Sequence, residues 1–122
     1  MSRLLRSVVA VLAGYLVFAA SAFAVFRLSG RAPHVPAPLP FMLLTVASGV
    51  VFAALGGYLA GWLAARRPLA HAVAMAMLLA AGAIASLVST VGAGGAVWTQ
   101  VTALALMAPS AVLGGWLRAR VV

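Results

Sequence analysis

The chain is 122 residues long and 66% hydrophobic, with a mean hydropathy of +1.22 and a net charge of +8 carried by eight arginines. It contains no aspartate, glutamate, lysine or cysteine. So apolar a composition excludes a water-soluble domain of this size, which needs a charged shell. The missing cysteines exclude disulfides, thiolate metal sites and thiol redox chemistry. The missing acids remove carboxylate catalysis and carboxylate-coupled cation transport.

The arginines fall in four pairs, Arg3 with Arg6, Arg27 with Arg31, Arg66 with Arg67 and Arg118 with Arg120, and these pairs separate four long apolar runs. About 20 apolar residues cross a hydrocarbon core of roughly 30 Å. The runs therefore predict an all-α membrane protein: one domain over residues 1–122, with transmembrane helices at about 7–26, 41–65, 69–91 and 97–117. No room remains for a soluble domain. Scattered pairs of arginine at span ends suit lipid headgroups rather than nucleic acid, which needs a contiguous basic patch.

The first span follows Arg3 and Arg6 and includes Ala22-Phe23-Ala24, a small-residue pattern of the kind cut by signal peptidase. Its apolar run continues through Phe26 without a polar break, longer than the usual cleaved core, so a retained helix is expected. After it comes an outer loop, 27–40, in which Pro33, Pro36, Pro38 and Pro40 hold the backbone extended as a stiff strap. His34 lies among these prolines.

The second span carries the clearest pattern in the chain. Gly49, Ala53, Gly57, Gly61 and Ala65 recur every fourth residue as a small-residue groove, widened by Gly56, Ala60 and Ala64. In lipid, helices gain no hydrophobic energy by associating, so close van der Waals contact along such grooves carries the packing, with crossings near about −40°. A groove of this kind is filled either from within the chain or by a second copy or another membrane protein. Weaker rows are Ala81, Ala85 and Ser89 in the third span, and Ala111 with Gly115 in the fourth.

The turn Ala65-Arg66-Arg67-Pro68 is short enough to force spans two and three into an antiparallel hairpin, with Pro68 suited to the first turn of the next helix. The four spans together are expected as two antiparallel hairpins. Between spans three and four, Gly92-Ala93-Gly94-Gly95 reads as a flexible link. Pro109 falls inside the fourth span and predicts a kink.

Four spans put both termini on one side, together with Arg66 and Arg67, giving six arginines against two. The positive-inside rule then makes both termini cytoplasmic. Trp62 and Trp116 fall near that inner interface and Trp98 near the outer one, as amphipathic rings prefer. His71, close to Arg66 and Arg67, is expected as an interfacial residue near the headgroups, the alternatives being a lipid or partner contact or a proton-handling group. The expected associates are membrane lipids, including anionic headgroups at the cytoplasmic face, and a second copy or another membrane protein.

Few groups could carry chemistry. Tyr15, Tyr58, Thr45, Ser48, Ser86, Ser89, Thr90, Thr99, Gln100 and Thr102 are uncharged, and they serve as interhelical hydrogen bonds or line a polar vestibule toward the outer half. Ser86 and Ser89 are about 22 and 27 Å along the helix from His71, out of reach for a nucleophile and its base. Neither an enzyme nor a cofactor or metal is expected.

The segment Leu55-Gly-Gly-Tyr-Leu-Ala-Gly-Trp-Leu-Ala-Ala-Arg-Arg-Pro-Leu-Ala-His71 resembles that of small uncharacterised bacterial four-helix integral membrane proteins, in which a Gly-Gly-Tyr helix ends in a basic turn before a His-containing helix. The resemblance implies a bacterial inner-membrane location and supplies no activity. Small multidrug-resistance transporters use a glutamate in the first span that this chain lacks. The pore asparagine and phenylalanine-rich motif of fluoride channels are also missing. The expectation is a structural, accessory or interaction component that packs through helix two. The alternative is a small oligomeric channel or anion-permeable transporter.

Overall fold

The computed structural model describes residues 2–31 and 36–121 and, among them, contains helices and no strands. Four helices are long and apolar enough to cross a membrane: α1 (Arg3–Ser29), α2 (Leu39–Ala64), α3 (Pro68–Gly92) and α4 (Trp98–Val121). α1 and α3 run past the expected limits at both ends, α2 at its start and α4 at its end, because Arg3, Arg6, Arg27, Pro40, Pro68, Arg118 and Arg120 enter the helices rather than stop them; α2 ends one residue early and α4 begins one late. Pro33 and His34 lie outside the described residues; Pro38 caps α2 and Pro40 sits in its first turn, where a missing N–H costs nothing.

Local signals set the ends. The Ser2 side chain accepts the Leu5 N–H at 3.1 Å to begin α1, and Gly30 ends it in the left-handed region at φ 72°. Between α2 and α3 two residues without glycine's freedom take positive φ, Ala65 at 63° and Arg67 at 44°. Ala65 thus terminates α2 instead of continuing its groove, and it is exposed. The link after α3 is tied down: Ala93 N–H bonds to Ser89 O, Gly94 N–H to Val91 O and Gly95 N–H to Thr90 O, so the expected flexible segment wraps the helix end.

Pro109 acts upstream of itself. The backbone widens into a π-turn over Ala103–Met107, with Ala108 N–H reaching Ala103 O, and the Ser110 hydroxyl donates to Leu106 O at 2.7 Å. A proline ring collides with the carbonyl four residues back, and one wider turn relieves that collision while keeping the helix continuous.

Packing inverts that of a soluble protein. The core is small or flexible: Ala53, Met75, Ala76, Leu79, Met107 and Ala111, with Met75 the largest fully buried side chain. Leu4, Leu16, Phe23, Leu43, Val88 and many other large apolar side chains point outward. A surface this apolar needs hydrocarbon against it. The helices are thus those of a multi-pass membrane protein.

Contacts along α2 show how the bundle is held. Gly56 meets Gly14 of α1 backbone to backbone, and a Cβ on either would strike the other's carbonyl. On the adjoining stripe, Gly49 meets the Met107 side chain, Gly57 meets the Ala111 backbone, and Gly61 meets Pro68 and Arg118. From α4, Gly114 meets the Ala54 backbone and Gly115 meets Ala72 of α3. The groove of α2 is therefore filled from within the chain, by α1 on one side and by α4 on the other. In α3 the buried row is Ala72, Met75, Ala76, Leu79 and Ala83 rather than Ala81, Ala85 and Ser89, which are exposed.

Candidate functional site: a chamber at one end of the bundle

The two ends of the bundle differ. One, here called the basic end, collects Arg3, Arg6, Arg66, Arg67, Arg118 and Arg120. There Arg6 Nε donates to Leu63 O at 2.9 Å, so a residue of α1 covers one of the open carbonyls at the end of α2. Arg118 lies over the Tyr58 ring at 5.8 Å, and Arg120 over Trp116 at 4.8 Å. Trp62 and Trp116 are exposed, as are Arg66 and Arg67.

His71 departs from its expected place at the headgroups. It is buried between helices: Nδ1–H donates to Arg67 O at 2.9 Å, and Nε2 shares a hydrogen bond with the Ser7 hydroxyl at 2.8 Å. The first turn of α3 lies against the first turns of α1, so the imidazole closes a joint rather than meeting lipid. Nothing in the linear spacing of Ser7 and His71 announces this pair, because it depends on how α1 docks.

The other, aromatic end is closed by ring contacts. Phe26 and Phe41 stack edge to face at 5.8 Å, and Trp98 lies 6.1 Å from Phe26 and 6.4 Å from Phe41, joining the ends of α1, α2 and α4. Arg31 stacks on Phe41 at 5.0 Å.

Next to this cluster all four helices line a cavity of 710 Å³. The α1 wall presents Tyr15, Phe18, Ala22 and Val25, one helical face at spacings of three and four. Leu79 and Ala83 of α3, Gly49 of α2, and Ala103 and Met107 of α4 complete an apolar floor. Nearer the aromatic end the lining turns polar, with Thr45, Ser86, Thr99, Gln100 and Thr102, and Arg27, Gly30 and Arg31 stand at its rim. From Tyr15 to Arg27 the chamber follows about 18 Å of helix at 1.5 Å per residue, close to the roughly 15 Å of one leaflet's hydrocarbon.

The polar wall is organised by Gln100, which is 3% exposed. Its amide nitrogen donates to Ser86 Oγ at 2.9 Å and to Thr90 Oγ1 at 3.1 Å, while its carbonyl oxygen accepts from Thr99 Oγ1 at 2.9 Å. This ties α4 to α3 just where small-residue contacts give out. Thr45 and Ser21 return their hydroxyls to their own helices, at Phe41 O and Phe18 O. Tyr15 and Ser48 also line the chamber, the Tyr15 hydroxyl lying close to Gly82 of α3. The expected clustering of Ser, Thr and Gln thus corresponds to one wall of a real cavity.

Two features escaped linear reading: the cavity itself, and the ring cluster beside it. Phe26, Phe41 and Trp98 do stand beside interhelical loops in the sequence, but only the fold brings them together. Among the described residues no cluster of histidine, cysteine or acid could hold a metal. Comparison with protein-family models, curated proteins and solved structures finds no match for this chain, so its chamber is read from its own chemistry.

Proposed function

We propose that the chain is a multi-pass protein of the bacterial cytoplasmic membrane, built as two antiparallel hairpins with both termini in the cytoplasm. In this reading it acts without catalysis of its own, as an accessory component. The basic half serves as a rigid frame and the aromatic half as a receiving chamber that faces the outer leaflet. The observation that carries the reading is the contrast between the two halves of α2. Toward the basic end its glycines lie against the backbones of α1 and α4, whereas toward the other end Gly49 borders the 710 Å³ cavity.

The orientation rests on six arginines at the basic end against two at the other. The bacterial inner membrane is supported by the resemblance of the Leu55–His71 segment to small bacterial four-helix proteins. Anionic headgroups at the cytoplasmic face are natural neighbours for Arg3, Arg66, Arg67 and Arg120, all exposed.

The polar wall around Gln100 favours one other reading, an oligomeric channel or anion path. Against it stands the apolar plug beneath the chamber, where Met75, Met107 and Ala111 are buried. Flux from proteoliposomes separates the two: vesicles that stay tight to chloride and potassium at rising protein density support a chamber, and leak proportional to protein supports a channel.

A further inference from the structure

We propose that the chamber binds one anionic membrane lipid, its phosphate held between Arg27 and Arg31 and its hydrocarbon chain laid along the apolar floor toward Tyr15 and Leu79. This rests on the reading of the chamber as the working part of the molecule, and it adds the chemical class of the occupant.

Three observations converge on that class. The first is charge: the sequence holds no acidic side chain, so neither Arg27 nor Arg31 can find a carboxylate side chain anywhere in the protein. Both line the cavity at its rim, and Arg31 is braced there over the Phe41 ring at 5.0 Å. A guanidinium so placed pairs with phosphate oxygens by charge-assisted hydrogen bonds.

The second is polarity along the chamber. Arginines at the rim give way to a band of Thr99, Thr102, Gln100 and Ser86, and then to Phe18, Leu79, Ala83 and Met107. That sequence of environments matches headgroup, ester and hydrocarbon. A soluble anion would use only the rim, and an apolar helix from a second copy would leave the arginines unmatched.

The third is length. About 18 Å of α1 borders the chamber, against roughly 15 Å for the hydrocarbon depth of a leaflet, so a chain anchored at the rim ends near the floor. The half-buried face of Tyr15, Phe18, Ala22 and Val25 gives it a smooth wall.

The test uses Trp98, which borders the chamber through Phe26 and Phe41. The full chain carrying Trp62→Phe and Trp116→Phe is placed in phosphatidylcholine bilayers doped with brominated phosphatidylglycerol or brominated phosphatidylcholine, and quenching of Trp98 is read against mole fraction. The expected result is half-quenching at a phosphatidylglycerol fraction about thirtyfold lower than for phosphatidylcholine, from roughly one favourable headgroup contact per arginine. Replacing Arg27→Gln with Arg31→Gln should erase the preference, and inorganic phosphate alone should not compete.

Ala83→Phe fills the floor from α3 and Ala22→Leu fills it from α1. Either one, in a variant that retains its helical spectrum, should leave only bulk quenching. Equal quenching by the two lipids with both arginines present would overturn the anionic assignment and leave the chamber as a site for neutral amphiphiles. A phosphatidylglycerol preference unchanged in both filled variants would instead remove the chamber as the binding site, and with it the reading of the chamber as the working part. Competition by inorganic phosphate would replace the lipid with a soluble anion.

Discussion

The two halves of the bundle use different means to hold helices together. At the basic half, backbones touch: Gly14 against Gly56, Gly57 against Ala111 and Gly114 against Ala54. At the aromatic half, side chains do the work: three rings, one glutamine and a set of hydroxyls. Backbone contact brings the helices close together, whereas at the aromatic half side chains bridge them beside the 710 Å³ chamber. Small residues give rigidity, and large or polar ones give room.

Mutations should therefore hurt very differently in the two halves. Gly57→Leu or Gly61→Leu should disrupt folding outright, because the new side chain meets Ala111 backbone in one case and Pro68 in the other. Even Gly57→Ala or Gly114→Ala should cost about 3 kcal/mol, measured by steric trapping or by denaturation in mixed micelles. A loss under about 0.5 kcal/mol for both would show that the helices can part there, and would break the comparison.

At the aromatic half, Gln100→Leu deletes the hydrogen bonds to Ser86, Thr90 and Thr99. About 1 kcal/mol is expected, since interhelical hydrogen bonds in membranes are individually modest. A loss as large as that of Gly57→Ala would mean that the polar wall, not the glycine contact, holds α4.

Gly49→Ala sharpens the contrast, because Gly49 belongs to the same stripe as Gly57 yet its nearest neighbour is the Met107 side chain rather than backbone. A methionine can swing its end into the adjoining chamber, so the loss should stay below about 1 kcal/mol. The smallest effect concerns the tight turn: Ala65→Gly should stabilise by about 0.5 kcal/mol, as it relieves a left-handed alanine at φ 63°. Thermal unfolding in detergent resolves the sign.

Much of the frame was legible in the sequence. Paired arginines around apolar runs mark four helices, and glycines at every fourth residue of α2 mark a close contact. Ala65 shows the limit of such periodicity: the row continues on paper, but the helix ends, since Arg66, Arg67 and Pro68 must turn the chain. The α3 row of Ala81, Ala85 and Ser89 failed for a related reason. In a chain so rich in alanine, spacing alone does not say which alanines face inward; Met75 and Leu79, large residues among small ones, fix the buried face. The chamber was visible only as an excess of Ser, Thr and Gln toward one end. Its volume depends on how residues distant in sequence, such as Tyr15, Gly49, Ala83 and Met107, come to face one another, which no local spacing states.

His71 has one further consequence. Because Arg67 O can only accept, the ring must carry a proton on Nδ1, and the neutral ring then has Nε2 as the acceptor for Ser7. The protein thus holds an intrinsic spectroscopic label at the seam between its first and third helices. The two imidazole nitrogens should give well-separated NMR signals of a single tautomer while α1 is docked. Exchange between tautomers would report, without any added probe, that the first helix has swung away.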